Sequence, residues 1–123
     1  MLRVVWMQAQ WRWAWRLVFG GAAALGAWSG LAPADALPGV ALWDKLAHAL
    51  GHGLLTLLLA PALQPPRVWV AAAWVMAYGI GIELAQAAGG HRQGDWQDVV
   101  ANALGILLAV ACWEGGRRLL ARR

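Results

Sequence analysis

The sequence predicts an all-α integral membrane protein, a bundle of four transmembrane helices with both termini in the cytoplasm. Three observations carry this. Of 123 residues, 61% are hydrophobic and only 13% charged, which is too apolar for an ordinary soluble domain. Apolar runs of near-spanning length recur along the chain, separated by Pro, Gly and polar residues. The Lys and Arg residues gather at the ends of those runs instead of along one folded face. The formal net charge of +4 therefore reads as a topology signal and not as a nucleic-acid footprint. The single cysteine, Cys112, lies in an apolar run, cannot form an internal disulfide and reads as packing.

The first span covers 17–34, an uncharged stretch between Arg16 and Asp35. A basic, Trp-rich segment over 1–16 precedes it and suits the membrane interface. Pro33, Asp35 and Pro38 break the pattern, and a second span follows over 41–63, its first turns carrying Asp44, Lys45, His48 and His52. Gln64-Pro65-Pro66 stops it. The third span, 67–88, is apolar until Glu83 and Gln86, and Gly89-Gly90 ends it. A polar stretch then leads into the fourth span over 96–115, whose uncharged part is short, and 116–123 forms a basic tail. A different reading takes the start as a cleaved signal peptide with Ala34-Asp35-Ala36 as its processing site, which leaves the other three helices oriented as before.

Orientation follows from the cations. Arg3, Arg12, Arg16, Arg67 and the four arginines at 117, 118, 122 and 123 fall on one side, against Lys45 and Arg92 on the other, so the eight face the cytoplasm of a bacterial inner membrane. Trp11, Trp13, Trp15, Trp69 and Trp113 sit at inner ends and Trp43 and Trp96 at outer ends, while Trp74 fits neither belt. Three small-residue repeats supply close helix contacts: Gly26-x-x-x-Gly30, Ala77-x-x-x-Gly81-x-x-x-Ala85 and Ala101-x-x-x-Gly105-x-x-x-Ala109.

The ionisable residues inside the spans all fall toward the outer side. Asp44, His48 and His52 stand at i, i+4 and i+8 on one helical face, with Lys45 beside them. Glu83 and Gln86 end the third span, Asp98 and Asn102 open the fourth, and the intervening loop adds His91, Arg92 and Asp95. Such groups are costly at membrane depth unless they pair or face a wet cavity, so they are expected to converge on a polar pocket that opens outward. The expected binding set is Asp44, Lys45, His48, Glu83, Gln86, Arg92, Asp98 and Asn102.

Asp44-Lys45-x-x-His48, Glu83-x-x-Gln86 and Arg92-x5-Asp98-x3-Asn102-x2-Gly105 resemble the VanZ-like family of small membrane proteins. The resemblance covers about 44–105, and the order and spacing of its elements make it specific. The family takes its name from a member associated with resistance to the glycopeptide teicoplanin, so the resemblance implies a role in cell-envelope physiology or glycopeptide-type resistance without naming a reaction. His52 departs from the family pattern, which favours an aromatic residue there.

Several chemistries fit this constellation. In the simplest, Lys45 and Arg92 neutralise part of the acidic set and Gln86 and Asn102 satisfy backbone or one another. Asp44, Glu83, Asp95 and Asp98 exceed Lys45 and Arg92 by two negative charges. No cofactor is expected outright, but a divalent metal has ligands in His48 and His52 at i, i+4 with Glu83 and Asp98. An enzyme of the outer leaflet has general-base candidates in His48 and Glu83, with Lys45 and Arg92 to hold the phosphate of a lipid-linked or anionic envelope substrate. A non-catalytic envelope-assembly protein needs only the outward groove. No nucleophile elbow or P-loop is present, and the cytoplasmic half has no matching polar groups of the kind a transporter needs. The partners expected are the lipid bilayer and an envelope ligand, with no nucleic acid.

Overall fold

A computed structural model describes residues 9–32, 41–90 and 94–122. Arg3, the Ala34-Asp35-Ala36 processing site, His91, Arg92 and Arg123 lie outside the described residues. Four helices follow in order: α1 Arg12–Leu31, α2 Ala41–Ala62, α3 Val68–Gly89 and α4 Trp96–Ala121. A 3-10 turn over Ala9–Trp11 leads into α1, and the described residues contain no strand. Among them α3 and α4 are long and apolar enough to cross a membrane. The early turns of α2 carry Asp44 and Lys45, and α1 begins on Arg12 and Arg16.

Local chemistry sets the helix ends. α1 starts at Arg12, ahead of its uncharged run, because Trp, Ala and Arg sustain a helix. It ends where Ala32 turns extended before Pro33, as the residue preceding a proline is driven to do. α3 follows Gln64-Pro65-Pro66, with the Gln64–Pro65 peptide cis, and stops at Gly90, whose φ of 69° suits a residue without Cβ. α4 is capped by Asp95, whose Oδ1 accepts the Gln97 backbone N–H at 2.8 Å. It continues past its apolar run through Arg117 and Arg118, with Arg117 3.9 Å from Glu114 one turn back.

α2 packs against all three other helices, most extensively against α4. A methyl group added at Gly53 would come 2.9 Å from the Gly105 carbonyl oxygen, and one at Gly105 would run into the Ala49 backbone. Ala101, Gly105 and Ala109 are all buried, so this small-residue repeat forms a packing face. Gly26 and Gly30 meet Tyr78 and Ile82 of α3 in the same way.

The third repeat does not pack as expected: Ala77, Gly81 and Ala85 are exposed. Val75, Gly79, Glu83 and Gln86 face inward instead, and positions two residues on lie about 200° around the helix. The apolar core, including Leu55, Val68, Val75, Ile106, Val110 and Trp113, fills the half of the bundle away from Asp44, Asp95 and Asp98. Trp113 is therefore core and not belt, while Trp74 faces outward with Trp69, Leu84, Leu104 and Leu108.

Candidate functional site

Alternating helix direction brings the end of α1, the start of α2, the end of α3 and the start of α4 together. Gln86 Nε2 donates to the Gly30 carbonyl at this end, and Arg16 Nε donates to the Ala62 carbonyl at 3.2 Å at the other. The C-terminal ends of α1 and α2 thereby each gain a partner for one carbonyl.

Lys45 gathers α4 onto α2. Its ammonium donates to Asp95 Oδ2 at 2.6 Å and to Asp98 Oδ1. It takes these two carboxylates and not Glu83. Glu83 Oε2 instead accepts the Asp95 backbone N–H at 3.0 Å. Asp95 thus caps α4, pairs with Lys45 and ties back to α3 at once. The Lys45 ammonium, with the Gln97 N–H behind it, holds the Asp95 carboxyl below its ordinary range.

The two histidines do different things. Asn102 Oδ1 lies 3.0 Å from His48 Nδ1 and can only accept, so the proton of a neutral His48 sits on Nδ1. Its Nε2 then faces Asp98 Oδ2 at 3.5 Å and Asp44 Oδ1 at 3.9 Å. His52 Nδ1 donates to the His48 carbonyl at 2.9 Å, leaving its own Nε2 as an acceptor. The rings stack with centroids 6.0 Å apart and planes 10° from parallel. This stacking turns the two Nε2 atoms toward different neighbours. The His48, His52, Glu83 and Asp98 metal set is therefore not what converges: among the described residues the ligand atoms of Asp44, His48 and Asp98 lie within 4.8 Å of one another. Asp44 stands where the sequence suggested His52 and Glu83.

A cavity of about 590 Å³ adjoins this cluster, walled by Leu25, Trp43, Leu54, Leu55 and Ile82 on its apolar side. Its polar lining is Ser29, Asp44, His48, His52, Tyr78, Glu83 and Asn102. Three buried atoms in that lining have no hydrogen-bond partner among the described residues: His52 Nε2, Glu83 Oε1 and Asn102 Nδ2. Their residues are only 8%, 6% and 0% exposed, so water outside the bundle does not reach them. Gly79 makes the room. A methyl group there would lie 2.7 Å from His52 Nε2 and 2.8 Å from Asn102 Nδ2, so both atoms pack where a side chain would otherwise stand.

The sequence profile of the VanZ/LLP1 family matches residues 2–119, nearly the whole chain. The chain belongs to the VanZ/LLP1 family. No curated protein and no solved structure matches it significantly. For this VanZ-like membrane protein the described members of the expected set divide in two. Asp44, His48, Glu83 and Asn102 line the cavity; Lys45, Gln86 and Asp98 stand behind it, holding helix ends; Arg92 lies outside the described residues.

Asp95, Tyr78 and Gly79 were absent from the expected set. Asp95 had a legible signal, an acidic residue just ahead of the Trp96 helix start. Gly79 stands one turn before Glu83 on the same face, and Tyr78, the chain's single tyrosine, donates to the Ala23 carbonyl at 2.5 Å.

Proposed function

We propose that this VanZ-like protein spans the inner membrane four times, with both termini inside, and that its cavity opens on the outer face to bind the polar head of an amphiphilic envelope component. The observation that carries the reading is the set of three unpartnered buried atoms from three helices at the polar end of an apolar-walled cavity. Leaving such groups unpaired costs about 1–3 kcal/mol each, which a ligand's polar atoms offset. His52 Nε2 and Glu83 Oε1 accept while Asn102 Nδ2 donates, a pattern that suits hydroxyl or amide groups. No Lys or Arg lines the cavity among the described residues, and the Lys45 ammonium is already held by two carboxylates. The lining itself thus favours an uncharged head over a bare anion. Leu25, Leu54 and Ile82 offer an apolar wall for a chain. The role is in cell-envelope physiology or glycopeptide-type resistance.

The test is native mass spectrometry of the full chain extracted in mild detergent. Wild type is expected to carry a bound mass that Gly79→Ala loses, because the added methyl would force His52 Nε2 and Asn102 Nδ2 out of their positions. Wild type with no bound mass, or a variant that keeps it, contradicts the reading.

One observation favours catalysis over binding alone: His48 lines the cavity with Nδ1 anchored on Asn102, which leaves Nε2 as the nitrogen that can take a proton. Turnover of an envelope lipid by purified protein, lost in His48→Gln, is its test.

A further inference from the structure

We propose that Asp44, His48 and Asp98 form a site for a divalent cation of the zinc or manganese type, with open coordination positions facing the cavity. This goes beyond the headgroup reading and needs only the contact between α2 and α4.

The spacing comes first. Ligands at about 2.1 Å from a metal stand about 3.4 Å apart in a tetrahedron. His48 Nε2 is 3.5 Å from Asp98 Oδ2 and 3.9 Å from Asp44 Oδ1, so small side-chain movements close the shell. Two carboxylates and one imidazole suit a borderline divalent ion.

Orientation is the second argument. A metal-binding histidine gives its other N–H to a fixed acceptor, which points its lone pair at the ion. His48 does this through Nδ1 to Asn102 Oδ1 at 3.0 Å. Asp98 is held likewise, with Oδ1 on Lys45 and Oδ2 turned toward His48. His48 Nε2 and two carboxylate oxygens face one another, an arrangement that calls for a positive charge between them, which a divalent ion supplies to all three atoms at once.

Charge is the third. Among the described residues at this end, Asp44, Glu83, Asp95 and Asp98 stand against the single ammonium of Lys45, a negative excess that a divalent ion reduces. Beside the cluster, Glu83 Oε1 and Asn102 Nδ2 are buried and unpartnered in the lining that also contains Asp44 and His48. Water or ligand oxygens on the metal's open positions would face that lining. A cation there also gives the cavity a means of holding phosphate that its side chains lack.

The experiment uses the full chain in detergent, stripped with chelator, dialysed, and titrated with Zn²⁺ or Mn²⁺ alone by calorimetry, with elemental analysis of the dialysed product. Wild type is expected to bind about one ion per chain. Asp44→Asn and His48→Gln should each weaken binding at least about tenfold, and Asn102→Ala about 10–100-fold through loss of the His48 orientation. His52→Gln should leave metal binding unchanged. Folded wild type without stoichiometric metal, or binding that survives both Asp44→Asn and His48→Gln, overturns the site, and so does dependence on His52. Asp44→Asn leaves the Lys45 contacts in place and carries the test if His48→Gln aggregates; should both aggregate, wild-type stoichiometry and the His52→Gln arm decide. Wild type that takes up no metal on titration yet carries a bound lipid would overturn the metal and leave the headgroup reading standing.

Discussion

Glu83 uses its two oxygens differently: Oε2 accepts the Asp95 backbone N–H at 3.0 Å, and Oε1 faces the cavity without a partner among the described residues. One side chain thus ties α3 to the cap of α4 and offers an acceptor to a ligand. Glu83→Gln keeps an oxygen for the Asp95 amide and should leave thermal unfolding in detergent nearly unchanged while abolishing the wild-type phenotype in a deletion strain. Glu83→Ala strips the amide of its acceptor and should cost about 1–3 kcal/mol as well. A fully active Glu83→Gln protein would contradict this division.

Lys45 is the cation between Asp95 and the buried Asp98. Lys45→Met should lower stability by about 3 kcal/mol, because Asp98 is left as a buried charge without its partner. Adding Asp98→Asn should recover part of the loss. Chemical denaturation of the two variants checks it, and strictly additive losses would mean that the pair is not coupled.

Asp95 carries a pH dependence whose sign is fixed. Lys45 and the Gln97 amide lower its pKa in the folded chain, so its contribution is present above the unfolded carboxylate pKa and fades as pH falls through the folded value. The melting-temperature advantage of wild type over Asp95→Asn should therefore be largest near neutral pH and shrink on acidification. A constant difference down to about pH 3 would contradict the assigned cause.

The glycines of the α2–α4 contact give a packing prediction. Gly105→Ala drives a methyl into the Ala49 backbone and should cost about 1–3 kcal/mol or more by forcing the helices apart, whereas Gly51→Ala, with nothing within 4 Å, should be tolerated. Equal melting of the two variants would place the contact elsewhere.

Much of this was legible in the sequence. The Pro and Gly breaks at 64–66 and 89–90 delimit α2 and α3 within a residue of where they lie, because these residues act on the backbone locally. Spacing along a helix also put Asp44 and His48 on one face. What spacing along one helix cannot give is rotation against its neighbours. The His48–His52 stack, set by Asn102 and a backbone carbonyl, undid the paired-histidine metal set, and the inward turn of Glu83 and Gln86 left Ala77, Gly81 and Ala85 outside. Lys45 had three carboxylates besides its neighbour Asp44 to choose from, and only the register of α2 against α4 selects Asp95 and Asp98.

Four-span topology itself is open to labelling at positions 2, 38, 66 and 93, each changed to Cys in turn in a Cys112→Ala background. Positions 38 and 93 should react from outside, and positions 2 and 66 only after the membrane is permeabilised. Cytoplasmic labelling of 38 and 93 would reverse the orientation.

The proposed outward opening of the cavity has one residue that reports on it directly. Ser29 lines the cavity near the end of α1, with its hydroxyl on the Gly26 carbonyl at 3.0 Å. In the Cys112→Ala background, Ser29→Cys should react with a membrane-impermeant maleimide added to cells whose cytoplasmic membrane is intact. Exposed Gln64 at the opposite end of the bundle, changed to Cys, should react only once that membrane is opened. Ser29→Cys that stays unlabelled until permeabilisation, while Gln64→Cys reacts at once, would put the cavity on the cytoplasmic side and contradict the account.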